Sequence, residues 1–148
     1  MSRKIYTDAL TRLTKGTDAG LYRLIPKRVE VVRSEEELIE ALAACAAVGE
    51  PVTFKAGGTS LSGQTITDSV LIEIHPDFGT SHIEQEGRLA TFPCGITGGE
   101  ANRLLKPYHR KLGPSPASIQ SAKIGGIVSN NASGSSYGIR YNSYHTLR

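Results

Sequence analysis

The segment from Pro51 to Gln64, PVTFKAGGTSLSGQ, constrains this chain more than any other stretch. Val52 to Phe54 is a short apolar run that reads as a buried strand. It opens into a turn carrying Gly57, Gly58 and Gly63, with the hydroxyls of Thr59, Ser60 and Ser62 between them. Adjacent glycines reach positive φ without strain and let a ligand approach the main chain with no Cβ in the way. Successive N–H groups in such a turn line a concavity suited to phosphate oxygens. The turn reads as a phosphate cradle. The competing reading is a tight turn that holds no ligand.

The kind of phosphate site follows from what the turn lacks. Gly58 to Thr65, GTSLSGQT, differs from the P-loop pattern G-x-x-x-x-G-K-[ST] at the lysine, which is Gln64 here. A P-loop also feeds directly into a helix, whereas Thr65 to Ser69 is polar and leads to another apolar run at Val70. Both departures argue against an NTPase. The G-x-G-x-x-G pattern of dinucleotide folds is absent, and so is a strand-end carboxylate at the usual distance.

Around this turn the apolar periodicity organises the chain. Ser2 to Leu13 reads as a helix with Ile5, Ala9, Leu10 and Leu13 on one side, and Thr17 or Asp18 as the cap of a following short turn. Val29 to Val32 is a β-branched strand. Ser34 opens a helix with Glu37 at capping-box spacing. Its apolar face is drawn by Leu38, Leu42 and Cys45, with Ile39 and Ala46 beside them, and Gly49 and Pro51 end it. Strand, helix and strand in this order favour a parallel pair. Val70 to Ile74 is a third strand.

The pattern then changes. His82–Glu84 and Arg88–Phe92 flank Gln85-Glu86-Gly87 and read as an antiparallel hairpin. Thr97 and Glu100 form a second capping box for a helix running through Leu104 and Leu105, with Pro107 in its last turn. From Gly113 the chain is rich in glycine and serine, GPSPASIQSAKIGGIVSNNASGSSYG, with one apolar cluster at Ile124 to Val128. A flexible linker and a binding loop folded over a short buried helix both suit that composition, but the apolar cluster favours the second. Tyr144 to Arg148 looks strand-like and then stops, so the chain reads as truncated.

Composition narrows the function. The 148 residues carry a formal net charge of +3 with basic residues scattered, which argues against a nucleic-acid partner. No apolar run approaches the roughly 18 residues that a spanning helix needs. The N-terminus, MSRKIYTDAL, lacks the apolar middle of a secretory signal, and a cytoplasmic, reduced setting is expected. Cys45 and Cys94 form no C-x-x-C, and Cys45 falls on a helix stripe as a buried thiol. His75, His82, His109 and His145 show no metal-ligand spacing. No nucleophile, base and acid can be grouped, so no catalytic residue and no metal ligand is assigned.

FKAGGTSLSGQ followed by GPSPASIQSAKIGGIVSNNASG resembles the FAD-binding domain of the vanillyl-alcohol-oxidase/PCMH flavoproteins. The likeness is nearest to the branch of D-lactate and glycolate dehydrogenases, the FAD-linked oxidases. The leading TDAGLYRLIPK and the closing NSYHTL resemble the bacterial members in which this flavin half is fused to an iron–sulfur half. The ending RYNSY, with Asn142, departs from the RYG-type ending of many relatives.

The resemblance implies α/β and α+β architecture: a small parallel βαβ subdomain over residues 1–77 and a truncated second α+β subdomain over 78–148, with FAD between them. It further implies that Ala56, Gly57, Gly58, Thr59 and Ser60 hold the pyrophosphate, with Lys55 the one cation of that loop. Pro116, Ala117, Ser118 and Ser121 would line the flavin and ribityl side. Gly125 and Gly126 would let the short helix approach the cofactor, and Asn130, Asn131, Ser133 and Gly134 would complete that wall.

Some members attach flavin covalently, through a histidine after the glycine pair or a cysteine in the second loop. Thr59 and the region of Ser115 stand in those places, so non-covalent FAD is expected. The implied reaction is hydride transfer from a small D-2-hydroxy acid to FAD. The substrate base, any metal and the anion-binding arginines would lie in a cap domain outside these residues, so the fragment alone is expected to be inactive. Implied partners are that cap, an iron–sulfur region of the same protein and, through electron acceptors, the membrane. The open edge of an unfinished sheet also invites self-association. A nucleotide-phosphate binding module without redox activity is the alternative.

Overall fold

The computed structural model describes residues 3–134 and 142–148. They divide into two compact units, Met1–Phe78 and Gly79–Arg148. Arg140 and Tyr141 of the RYNSY ending lie outside the described residues.

The first unit is built on a four-stranded sheet of β1 (Lys4–Tyr6), β2 (Arg28–Val32), β3 (Val52–Lys55) and β4 (Val70–Ile74), in the order β1-β2-β4-β3. β4 runs parallel to both β2 and β3. The strand–helix–strand unit is therefore parallel as expected, but its two strands are not neighbours: β4 is inserted between them. The reason lies in composition. Val70, Leu71 and Ile72 are fully buried, and a strand apolar on both faces belongs in the middle of a covered sheet. The glycine turn, residues 56–69, is thereby the crossover from β3 to β4.

The N-terminal segment corrects the sequence reading. Lys4 to Tyr6 is not helical but an edge strand, antiparallel to β2 with Ile5 opposite Glu30. The helix α1 begins only at Ala9 (Ala9–Lys15), because the Asp8 carboxylate accepts the Thr11 N–H at 2.8 Å and caps it there. Hydrogen bonding from Thr11, its N–H first and then its side chain, holds the Asp8 carboxyl below its ordinary pKa.

Helix α2 (Glu35–Ala47) starts where the sequence places it, with Ser34 Oγ accepting the Glu37 N–H at 3.3 Å. The box closes one residue early: the Glu37 carboxylate accepts from the Arg33 N–H at 2.8 Å. Its buried face is also narrower than expected. Ala41 and Cys45 are buried, whereas Ile39, Leu42 and Ala46 are exposed. The small side chains of Ala41 and Cys45 sit inside, and Ile39 and Leu42 fall on the rim. Ser34→Ala is expected to lower the stability of this unit by about 1 kcal/mol, measured by urea unfolding.

In the second unit β5 (His82–Glu84) and β6 (Leu89–Thr91) pair antiparallel, His82 opposite Thr91. The joining turn needs three consecutive positive φ values, at Gln85, Glu86 and Gly87. Helix α3 (Gly98–Leu105) is capped by Thr97 Oγ1, which accepts the Glu100 N–H at 3.1 Å. Glu100 does not reach back to complete the box; it pairs with Arg103 one turn ahead. A 3-10 turn at Lys106–Tyr108 ends the helix around Pro107. Helix α4 (Ile124–Ser129) is the short buried helix expected in the glycine-rich stretch, with Ile127 buried. The chain end differs from the expected strand: Ser143–Thr146 form a helical turn, α5, because Asn142 Oδ1 accepts the His145 N–H at 3.0 Å. Among the described residues, no helix is long and apolar enough to cross a membrane.

Candidate functional site

The glycine turn leaves β3 at Lys55 and keeps its main chain free. From Gly57 to Thr65, Ser62 alone donates its N–H to a protein group among the described residues, to Ser60 Oγ at 3.4 Å. The amides of Gly57, Gly58, Thr59 and Ser60 have no protein acceptor there. Buried main-chain donors are almost always paired, and these half-exposed ones have only solvent or a ligand to bond. Gly58 and Gly63 adopt φ of +64° and +79°, so the turn uses glycine where an L side chain is strained. The Thr59 hydroxyl has no protein partner among the described residues, and Ser60 Oγ bonds Gln64 Oε1. These residues fit a dianionic pyrophosphate: a row of unpaired N–H groups and the Thr59 hydroxyl, with no Cβ at the tightest point.

Lys55 does not occupy the role expected of it. It is buried beneath the loop, not a surface residue, and its ammonium is taken up by protein, donating to the carbonyls of Lys15 (2.8 Å) and Thr17. Burial lowers its pKa. Glu73 and Asp18 oppose that shift, and Lys15 adds to it. The Thr17–Gly20 turn docks on the glycine loop: the Ala19 N–H donates to the Ser60 carbonyl at 3.1 Å. Asp18 Oδ1 accepts the Gly20 N–H at 2.8 Å and shapes that turn.

In the second unit, the segment from Gly113 to Gly134 is an ordered loop. Its ends meet: the Ser115 N–H donates to the Ser133 carbonyl at 2.9 Å, and Gly134 turns beside them with φ +77°. Pro116 and Ser118 open successive turns, their carbonyls accepting from Ile119 and from Ser121 and Ala122. Ala117 and Ser121 are exposed, and the Ser118 and Ser121 hydroxyls have no protein partner among the described residues.

Gly125 packs on Cys94, where an added Cβ would lie 3.0 Å from the Cys94 Cβ, and its N–H donates to the Cys94 carbonyl. The partly buried Cys94 thiol has its pKa pushed up by desolvation, which disfavours the thiolate. The Gly126 carbonyl accepts the Asn130 N–H, closing α4. Asn131, at φ +48°, bonds the Tyr144 N–H through Oδ1, and its carbonyl accepts from the Ser133 hydroxyl. Asn131 thus has a structural use for its carboxamide oxygen that its sequence position did not announce.

Two further glycines matter that sequence reasoning passed over. A Cβ at Gly98 would stand 2.7 Å from Ile119 Cγ1, and one at Gly99 would stand 2.4 Å from Gln120 Oε1. The amides of both bond the turn itself, to the carbonyls of Ala122 and Ile119. The start of α3 is thus the platform of the second loop. The adjacent glycines directly after the Thr97 cap were the available signal.

A cavity of about 660 Å³ also opens in this unit, with Phe92, Leu105 and Ile127 in its wall and Arg88 and Arg110 beside them. None of the fifteen residues expected to contact a cofactor lines it. It lies on the Ile127–Val128 side of α4, while Gly125 packs on Cys94. The cavity and the expected contacts are therefore different places, and unpaired loop groups make the better case for a ligand than apolar volume. Among the described residues no group of three or more His, Cys, Asp or Glu side chains is placed to hold a metal ion.

Comparison with known proteins fits these loops. Two D-2-hydroxyglutarate dehydrogenases are similar: that of Pantoea ananatis is 30% identical over 132 residues and that of Escherichia coli (strain K12) 29% identical over 141 residues. Each alignment covers 86% of this chain and 13% of the relative. Glycolate oxidase subunit GlcD of Escherichia coli (strain K12) is 29% identical over 115 residues, covering 76% of this chain and 23% of that one. The chain thus spans about an eighth to a quarter of the length of these relatives.

Among solved structures, an alkyldihydroxyacetonephosphate synthase superposes with a TM-score of 0.76 at 19% identity, over 90% of this chain and 29% of that one. Aclacinomycin oxidoreductase superposes with a TM-score of 0.68 at 21% identity, over 90% and 28%. At those identities the likeness speaks for the fold, which is the PCMH-type fold expected. The model of the FAD binding domain family matches residues 26–148, from the proline before β2 to the last residue, and so takes in both glycine-bearing loops. The chain belongs to the FAD binding domain family, and its cofactor is FAD.

Proposed function

We propose that this chain is the flavin-holding part of an FAD-dependent dehydrogenase that oxidises a D-2-hydroxy acid of the lactate, glycolate or 2-hydroxyglutarate type. The observation that carries the reading is the row of unpaired amides from Gly57 to Ser60, in a chain whose relatives include D-2-hydroxyglutarate dehydrogenases and a glycolate oxidase subunit. Ala56 to Ser60 bind the pyrophosphate through N–H groups and the Thr59 hydroxyl, with main-chain dipoles where other sites use lysines. The Ser118 and Ser121 hydroxyls and the exposed face of the 116–134 loop hold the flavin side. When bound, FAD supplies a two-electron acceptor for the α-hydrogen of the hydroxy acid. This chain contributes position and electrostatics; the groups that bind substrate and take the hydroxyl proton belong to other parts of the protein. Thr59, directly after the glycine pair, lacks the imidazole that would bond the flavin there, and the cofactor is held without a covalent bond.

The experiment is an FAD titration of the full-length protein followed by protein precipitation. We expect stoichiometric flavin that is fully released by acid, and oxidation of at least one D-2-hydroxy acid. Gly58→Val places a β-branched residue at φ +64° over Lys55 Cε (3.0 Å from an added Cβ) and should weaken FAD binding at least about tenfold. Binding of ATP with none of FAD would sink the reading in favour of a nucleotide-phosphate module. Flavin remaining on the precipitated protein would sink the non-covalent part alone.

A further inference from the structure

We infer that Lys55 is the positioning residue of the glycine loop, holding it in its FAD-accepting form by clamping the Thr17–Gly20 turn against it. The inference rests on the flavin reading above and goes past it, since the resemblance makes Lys55 a cation for the ligand. Among the described residues, the one main-chain hydrogen bond that reaches Gly57–Ser62 from elsewhere in the protein is Ala19 N–H to Ser60 O, 3.1 Å. The loop's shape therefore depends on where the Thr17–Gly20 turn sits. That turn is fixed from below by Lys55, whose Nζ bonds the carbonyls of Lys15 and Thr17. The aliphatic stem of the same lysine forms the floor under Gly58, with Cε 3.0 Å and Nζ 3.7 Å from where a Cβ would stand.

The contacts close a ring. Gly58 rests on Lys55, Lys55 holds Thr17, and Ala19 holds Ser60. Gly20 completes the fit, because a Cβ there would meet Leu61 O at 2.7 Å and Asp18 Oδ1 at 3.0 Å. A loop with so few tethers must be ordered when it binds, and a clamp set in advance removes that cost from the binding step.

The charged groups around the ammonium are Glu73 on β4, Asp18 in the turn and Lys15 at the end of α1. Burial makes the lysine release its proton at lower pH than usual, with Lys15 adding to that and Glu73 and Asp18 resisting it. An anionic pyrophosphate nearby raises the lysine's affinity for its proton, so binding takes a proton up. FAD affinity is then complete below the pKa of the free protein and falls as pH rises through it.

The test is FAD titration across pH with the full-length wild type, Lys55→Met, Lys55→Arg and Gly20→Val, together with hydrogen exchange of residues 57–62 in the flavin-free proteins. Methionine keeps an unbranched stem and loses the donors. We expect Lys55→Met and Gly20→Val to weaken FAD at least tenfold and to speed exchange in the loop while the far-UV spectrum holds. The alkaline loss of affinity should disappear in Lys55→Arg, whose charge persists; the flavin's own titration is common to all four. Wild-type affinity and exchange in both Lys55→Met and Gly20→Val would overturn the inference with the flavin reading intact. If Lys55→Met does not fold, Gly20→Val decides alone. If the wild type binds no FAD, the flavin reading fails, and unchanged loop exchange in the variants separately refutes the clamp.

Discussion

Arg28→Ala is expected to destabilise the first unit by about 3 kcal/mol or more, the largest effect of any single substitution considered on its sheet. Glu30 lies on β2 with its side chain 1% exposed, between the guanidinium groups of Arg28 (Nε, 2.7 Å) and Arg3 (Nε, 3.0 Å). Arg28 also reaches Glu50, at 2.5 Å from Nη1, so one guanidinium ties the start of β2 to the connection between α2 and β3. Its pKa is raised, first by the bond to Glu30, and it stays charged throughout.

Removing it leaves a buried carboxylate with one partner out of two and Glu50 with Lys27, 3.9 Å away, as its remaining cation among the described residues. An uncompensated buried charge costs far more than a surface pair yields. Replacing both partners by apolar residues, Arg28→Met with Glu30→Leu, should recover most of the loss. Urea unfolding of the three proteins measures it. A loss under 1 kcal/mol in Arg28→Ala would mean that solvent already reaches Glu30.

Gly134→Ala is expected to open the second loop, weakening FAD binding by more than about tenfold and lowering stability by about 2 kcal/mol. The residue sits at φ +77°, which costs an L side chain about 1–2 kcal/mol by itself. An added Cβ would also stand 2.1 Å from the Ser115 carbonyl oxygen and 3.2 Å from the Pro116 nitrogen. Both are main-chain atoms, and Pro116 has a fixed φ, so neither can swing aside. Relief must come from parting Ser115 and Ser133, whose hydrogen bond closes the loop.

Gly49→Ala is the matched control. Its φ is +67°, yet nothing lies within 4 Å of an added Cβ, so it should show the backbone cost alone and leave FAD binding unchanged. Titration of both variants with FAD, beside thermal unfolding, separates closure of the loop from backbone strain. Equal effects in the two would show that the contact with Ser115 contributes nothing.

The local alphabet of this chain was open to reading. Ser34 and Thr97 cap helices, β2 and β4 are β-branched or aliphatic runs, Gln85-Glu86-Gly87 turns a hairpin, and Gly57-Gly58 marks a turn after β3. Each of these is decided by a residue's own backbone preference or by a partner three or four positions away. Where neighbours in space took over, the reading erred. Lys4–Tyr6 carries the alternation of an edge strand, but its helical period was as good until β2 offered hydrogen bonds. Tyr144 favours a strand by type, yet Asn142 caps a turn beneath it.

The strand order β1-β2-β4-β3 was not in the sequence either. Which of three parallel strands lies in the middle depends on burying the most apolar one on both faces, a property of the assembled sheet. Lys55 is the sharpest case. By composition it is the cation of a phosphate loop. By tertiary structure its charge is enclosed by the carbonyls of Lys15 and Thr17, forty and thirty-eight residues away along the chain. Sequence alone determined that a glycine turn would follow β3 and that a second glycine-rich loop would be ordered. Only the folded chain decided what holds the first loop still, because a buried ammonium must find its acceptors in whatever main chain the fold brings to it.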